Sequence, residues 1–191
     1  MKKLSTPNSA IIHICQELHE RSLVSAYGGN VSIRMPNKII ITPKGSSLSE
    51  LTEDDLVVID IDGDVLFSTH EPSSEVLLHL NIYKNRPDVH AIIHTHPQMV
   101  TSFAYRNTPI KMLTRESRTY LKEVPIVPYY PSGSKELAEA VSPYIKDHDA
   151  IMLENHGLVT VGQDIYKAYN LAELTEETAM MNFYVKMLSL S

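Results

Sequence analysis

An apolar run that ends in two histidines one residue apart, His90-Ala-Ile-Ile-His94-Thr-His96-Pro97, carries the strongest chemical signal in the sequence. Side chains alternate along a strand, so His94 and His96 leave the same face with Cα atoms about 6–7 Å apart. Two rings so placed can converge on one metal ion or sit as a satisfied pair in the core. Neutral imidazole is a standard ligand for zinc and other first-row metals, and a catalytic zinc takes three protein ligands and keeps one position open. A metal reading therefore needs at least one more ligand from elsewhere. His90 shares the parity but lies about 13 Å back along the strand, and reads as a surface or access histidine. His156 stands in Glu154-Asn-His-Gly157, between two apolar segments, where a sharp turn can project a ring into a cleft. It is the natural third ligand. Glu75, near the start of the helix that precedes the histidine strand, is a candidate fourth ligand or general base; a glutamate in a first helical turn also complements the helix dipole.

The elements that must position these groups follow from periodicity. Ser5-Thr-Pro-Asn-Ser9 offers N-caps to a first helix that carries Ile11, Ile14, Cys15 and Leu18 and runs to about Leu23. Tyr27-Gly-Gly-Asn30 ends that approach with glycines that let the backbone turn and come close to a ligand. Strands follow at Val31–Arg34 and Lys38–Thr42 around Met35-Pro-Asn37, then Thr42-Pro-Lys-Gly45 makes an exposed turn. Leu56–Ile61 and Val65–Phe67 flank Asp62-Gly63, a hairpin signal. Pro72-Ser-Ser-Glu-Val76 opens a second helix, with Pro near its first position, and that helix feeds the histidine strand. A short helix is expected from Met99 to Tyr105, a strand at Val124–Pro128 and a helix capped by Pro131-Ser-Gly-Ser134. Ala150–Leu153 and Leu158–Val161 bracket the His156 turn, and a long helix begins at Asp164. The stretch Lys111–Lys122 fits strand and helix equally. Alternating elements with repeated hairpins indicate a sheet covered by helices, α/β or α+β.

Composition narrows the function. The 191 residues, 43% of them hydrophobic, suffice for one sizeable core and are too few to divide comfortably, so a single domain over 1–191 is expected. With 17 basic against 23 acidic residues and a net charge of -6, no basic stretch interleaved with aromatics suggests nucleic-acid binding. Nor does any run approach membrane-spanning length, and Met1-Lys-Lys-Leu-Ser-Thr-Pro7 lacks the apolar region of a signal peptide; a soluble, cytoplasmic protein is expected. The lone Cys15 has no partner in the chain and apolar neighbours, which read as a buried thiol.

Six landmarks in order resemble the class II aldolase/adducin-head family: Gly28-Gly-Asn-Val-Ser-Ile-Arg34, Ile41-Thr-Pro-Lys-Gly45, Glu71-Pro-Ser-Ser-Glu75, Ile93-His-Thr-His-Pro97, Pro128-Tyr-Tyr-Pro-Ser-Gly-Ser134 and Glu154-Asn-His-Gly157. The resemblance implies a three-layer α/β/α sandwich with a mostly antiparallel sheet, assembled as a homotetramer with active sites at subunit interfaces. It implies that His94, His96 and His156 bind Zn2+ or another divalent ion such as Mn2+ or Co2+, with Glu75 as fourth ligand and acid/base. It assigns Gly29, Asn30, Lys44, Gly45, Ser73 and Ser74 to a substrate phosphate. Glycine turns and a helix N-terminus supply free N–H groups for an anion, so the assignment is also physically sensible; the same residues serve equally as turns and caps. The activity implied is cleavage of a ketose 1-phosphate such as L-fuculose 1-phosphate into dihydroxyacetone phosphate and an aldehyde. A 4-epimerase of the L-ribulose-5-phosphate type comes second, and a methylthioribulose-phosphate dehydratase is disfavoured by Glu75.

This chain departs from the family's aldolase pattern where Thr114 stands at about the place of a tyrosine, and it closes at Ser191 with its helix rather than with a tyrosine-bearing tail. Glu116, two residues beyond Thr114, is the nearest titratable candidate for the second acid/base; its plainer reading is an exposed carboxylate beside Arg115 and Arg118. Lys44 replaces a smaller residue in its turn. Two other metal-enzyme patterns fail. A JAMM-type isopeptidase needs Ser-x-x-Asp after the proline, where Ser102 is followed by Tyr105, and a metallo-β-lactamase needs Asp-His where Pro97-Gln98 stand. A non-catalytic adducin-like head is the remaining alternative, opposed by retention of all four candidate ligands.

Overall fold

The computed structural model describes residues 6–189; Ser5 among the expected caps, the leading Met1–Leu4 and the closing Ser191 lie outside the described residues. One sheet of eight strands forms the middle layer, in the order β4 (Val65–Phe67), β3 (Val57–Ile59), β2 (Lys38–Ile41), β1 (Asn30–Met35), β5 (Ala91–Thr95), β8 (Gly157–Gly162), β7 (Ala150–Leu153), β6 (Ile126–Val127). Every pairing is antiparallel except β6 with β7. Period-two alternation divides the central strands between two cores. Ala91, Ile93, Met152 and Leu158 face α1 (Pro7–Glu20), α3 (Gln98–Tyr105) and α5 (Ile165–Leu188). Ile92, Ile151, Leu153, Val159 and Val161 face α2 (Val76–Asn85) and α4 (Lys135–Ile145). The result is the expected α/β/α sandwich with a mostly antiparallel sheet. Among the described residues no helix is long and apolar enough to cross a membrane.

Local chemistry sets the element ends. The Thr6 hydroxyl accepts from the Ser9 N–H at 3.1 Å and caps α1, and α1 stops at Glu20, short of Leu23, because Ser22 turns to φ 57°. Ser134 and Asp164 cap α4 and α5. The Asp60 carboxylate accepts from the N–H groups of Asp62, Gly63 and Asp64 and closes the β3–β4 hairpin.

Two expectations are corrected. α2 begins at Val76, not at Pro72, because Pro72 is held extended in a bridge with Pro43: Ser73 N–H donates to the Thr42 carbonyl and Lys44 N–H to that of Glu71, both at 3.1 Å. The strand expected at Val124–Pro128 contracts to Ile126–Val127. The segment Lys111–Lys122, open in sequence between strand and helix, is helical over 115–121, most of it a π-helical turn, Ser117–Leu121, that ends on Lys122 at φ 61°.

Candidate metal centre and anion cleft

β5 delivers His94 at its end and His96 just beyond, and the β7–β8 turn brings His156 against them. His96 Nε2 lies 3.0 Å and His156 Nε2 3.2 Å from His94 Nε2, and ligating atoms of all three rings fall within 4.8 Å of one another. His94 Nδ1–H donates to the Leu158 carbonyl at 2.9 Å, which fixes the tautomer and turns the Nε2 lone pair toward the other rings. Burial lowers the proton affinity of all three, that of His96 to a pKa of about 4, with repulsion among the rings adding to the effect on His94 and His96. They are therefore neutral at pH 7, as metal ligands must be.

Two glycines make room for His96. A Cβ on Gly28 would stand 2.7 Å from its Nδ1, and one on Gly157 would stand 2.5 Å from its Cδ2 and 2.4 Å from the Thr95 carbonyl oxygen. The turn itself is made by Asn155 at φ 56°, a conformation asparagine tolerates. Glu154 ties this turn to the neighbouring loop, accepting from the Tyr129 N–H at 3.0 Å.

Glu75 is 3% exposed. Its Oε1 accepts from the Ser132 hydroxyl, and its Oε2 is buried without a partner among the described residues. Its negative charge acts on His156, raising that ring's proton affinity against the larger effect of burial. A buried carboxylate oxygen left bare is costly unless something binds it. The donor set fits a divalent ion. At zinc–nitrogen distances of about 2.0–2.1 Å, tetrahedral ligands stand about 3.3 Å apart, close to the spacings that His94 makes with His96 and His156. Glu75 lies outside the close histidine group, a position suited to moving a proton beside an ion.

The anion residues gather around the same end. Gly29 (φ 86°) precedes Asn30, which pairs across the sheet with His94. The bridge between Pro43 and Pro72 draws Lys44 and Gly45 beside Ser73 and Ser74. Ser73 is buried and its hydroxyl accepts from the Glu75 N–H, while Ser74 and Gly45 are exposed. A Cβ on Gly45 would meet nothing within 4 Å, so that glycine serves its φ of 72° rather than a close contact. Lys44 is engaged elsewhere, 3.0 Å from the Glu71 carboxylate in an exposed pair.

Two sequence candidates do not join this group. His90 is exposed at the far end of β5. Glu116 is exposed at the start of the π-turn, with no hydrogen bond or ion pair to the histidines among the described residues. Conversely, Ser132 was hidden in what reads as a helix cap, and nothing in its local sequence marks it. His79, buried behind Asn30, did carry a signal: it lies four residues after Glu75, the spacing that stacks side chains on one helix face.

Comparisons with known proteins bear on the whole chain. The profile of the Class II Aldolase and Adducin N-terminal domain matches residues 9–183. A protein named L-fuculose phosphate aldolase from Methanococcus maripaludis is 44% identical over 175 residues, covering 92% of this chain and 94% of that one. A protein named 3-oxo-tetronate 4-phosphate decarboxylase from Haemophilus influenzae is 32% identical over 179 residues, covering 91% of this chain and 85% of its own. Among solved structures, one named L-fuculose 1-phosphate aldolase superposes with a TM-score of 0.91 at 30% identity, covering 98% of this chain and 91% of that one.

Proposed function

The chain belongs to the class II aldolase and adducin N-terminal domain family, a lyase by that kinship, and on that premise we propose that it is a zinc-dependent aldolase cleaving a ketose 1-phosphate, L-fuculose 1-phosphate being the first candidate. The observation that carries the reading is the convergence of His94, His96 and His156 beside a buried Glu75 whose Oε2 has no partner among the described residues. A divalent ion held by the three rings, Zn2+ or alternatively Mn2+ or Co2+, supplies Lewis-acid polarisation of the ketose carbonyl and its neighbouring hydroxyl.

The chain's own residues do the rest. Asn30, Gly29, Gly45, Ser73 and Ser74 hold the phosphate through N–H and O–H donors, with Lys44 nearby and free to add its charge once it leaves Glu71. Cleavage removes the proton of the hydroxyl one carbon beyond the scissile bond; that C–O becomes the aldehyde as the C–C bond breaks, and the carbon left on the phosphate fragment takes a proton. Glu75, oriented through Oε1 by Ser132, takes up a proton on Oε2 as the ketose binds and delivers it to that carbon, and exchange with water resets both carboxyl groups between turnovers. Glu116 takes the hydroxyl proton, reaching the site from a neighbouring subunit.

Homotetramer assembly with active sites at subunit interfaces, one domain over 1–191 and a cytoplasmic location belong to the same reading. Exposed Phe183, Tyr184, Val185, Met187 and Leu188 near the end of α5 support assembly.

The test is a mass-spectrometric screen of ketose phosphates incubated with the metal-loaded protein. Dihydroxyacetone phosphate and an aldehyde are expected. An epimerised ketose, loss of water or loss of carbon dioxide from an oxo-acid phosphate would instead assign one of the sister chemistries. Equal turnover of free and phosphorylated sugars would refute the phosphate cleft.

A further inference from the structure

Asn30 ends a single line of four buried polar side chains. Asn30 and Ser32 share a face of β1, and His79 and Tyr83 share a face of α2, so the strand and the helix interleave them. Tyr83 OH lies 2.8 Å from Ser32 Oγ, Ser32 Oγ lies 2.7 Å from His79 Nδ1, and His79 Nε2 lies 2.6 Å from Asn30 Oδ1. Ser32 and His79 are wholly buried, Tyr83 is 2% exposed and Asn30 6%. Such a line can run in either direction, and the two directions turn the Asn30 amide opposite ways.

We propose that Tyr83, Ser32 and His79 form a hydrogen-bond relay of fixed direction that holds the Asn30 carboxamide with its oxygen toward the core and its N–H2 toward the cleft, as a donor to the substrate's phosphate. The direction follows from the buried end. If Tyr83 donates to Ser32, Ser32 donates to His79 Nδ1 and His79 Nε2–H donates to Asn30 Oδ1, the hydroxyl and ring hydrogens of Tyr83, Ser32 and His79 all have acceptors, and only the Asn30 N–H2, at the cleft end, is left to bind something else. If the line runs the other way, Tyr83 becomes an acceptor and its own buried hydrogen has none among the described residues. Arg34, whose guanidinium stacks 4.9 Å from the Tyr83 ring centre, offers only donors, and its fork is spent on backbone carbonyls. Leaving a buried donor unmatched is the costlier arrangement. Burial keeps His79 neutral, with a pKa pushed down to about 3, so that one ring nitrogen must accept while the other donates. The Asn30 Nδ2 that remains has no protein partner among the described residues, and it sits opposite His94 at the mouth of the cleft.

His79 is thus a positioning residue: it sets what Asn30 can offer without meeting the substrate. The substrate half of this inference rests on the phosphate reading proposed above, whereas the tautomer half does not. Long-range 1H–15N correlation on protein labelled at histidine nitrogen, with the His79 signal identified by its loss in His79→Gln, reads the tautomer directly. The expected result is a proton on Nε2 and none on Nδ1 from pH 8 to pH 5; an Nδ1–H tautomer, alone or in comparable amount, overturns the relay. Inorganic phosphate is the binding probe. His79→Leu is expected to weaken phosphate binding, and raise KM for the phosphorylated ketose, about tenfold with kcat changed less than about threefold, and His79→Gln, whose amide N–H can still donate to Asn30 Oδ1, to recover most of the loss. Should His79→Leu fail to fold, Ser32→Ala removes the donor to Nδ1; a mixed tautomer and a roughly threefold weaker phosphate affinity are then expected. Folded variants with unchanged phosphate affinity would refute the positioning role. If the Nε2–H tautomer and phosphate binding are both found but no ketose phosphate is cleaved, the relay stands and the aldolase reading falls.

Discussion

At the histidine end of the sheet the chemistry-bearing side chains sit on strand ends and tight turns, oriented by hydrogen bonds and cleared by glycines, whereas the groove between α3 and the last turns of α5 is open and apolar. That groove, about 800 Å3, is lined by Met99, Phe103, Leu113, Phe183 and Val185 among others. The neighbouring segment is fastened to α5 chiefly through Asn182, which accepts from the Lys111 N–H at 2.9 Å and donates to the Lys111 carbonyl at 2.8 Å. Glu116 stands exposed on the same segment. In the first region the three histidines and the carboxylate of Glu75 come from one chain and are held by its own hydrogen bonds. The second is an open apolar surface, and the proposed second acid/base lies on the segment beside it.

The sharpest way to break this division is to remove a central ring. His94→Ala should abolish stoichiometric metal and lower kcat by about 10³ or more, with the fold retained. Elemental analysis and circular dichroism on the same sample check it; a variant that keeps its metal misplaces the centre. The second region is tested by Glu116→Gln, expected to reduce kcat by about 10²–10⁴ while metal content and oligomeric state are unchanged. Near-normal turnover would return Glu116 to the surface role.

Smaller effects separate close packing from backbone conformation. Gly157→Ala drives a methyl into the Thr95 carbonyl and the His96 ring, and should cost about 1–3 kcal/mol of stability together with about 10-fold to 100-fold of metal affinity. The pH response has a definite sign. His79, His94, His96 and His156 all have proton affinities lowered by burial from the usual 6.5, so below that pH the unfolded metal-free chain binds more protons than the folded one. Stability of the metal-free protein is full above about pH 6.5 and falls as pH drops toward 4, by up to about 1.4 kcal/mol per pH unit for each such histidine. Urea midpoints at pH 7.5, 6 and 5 measure it, and a flat series would contradict the buried, neutral state of these rings. The smallest effect is expected from Gly45→Ala. Its methyl meets nothing, so only the left-handed backbone objects, at about 1–2 kcal/mol, and metal content should not change.

The legible parts of the sequence were those governed by short periods and local caps. Alternation placed His94 and His96 on one side, Asp62-Gly63 announced its hairpin, and Ser134 and Asp164 marked their helices. The illegible parts depended on distant partners. Pro72 looks like a helix opener until Pro43 pairs with it, and the π-turn after Glu116 ends on Lys122 in a left-handed conformation that a lysine does not advertise. Ser132 meets Glu75 across 57 residues of chain, beyond the reach of any local pattern. The relay behind Asn30 lies between these cases, since Glu75 and His79 are spaced as helix neighbours while Ser32 joins them only through the sheet.

On the proposed reading the three histidines hold an ion on which ketose-phosphate cleavage depends. Release of dihydroxyacetone phosphate from L-fuculose 1-phosphate, followed on chelator-stripped protein during stepwise return of Zn2+, tests it most directly. Activity should be absent at the start and rise linearly to a plateau at one ion per chain, with no such rise in His156→Ala. Full activity in the stripped protein, or an equal response in His156→Ala, would contradict the account.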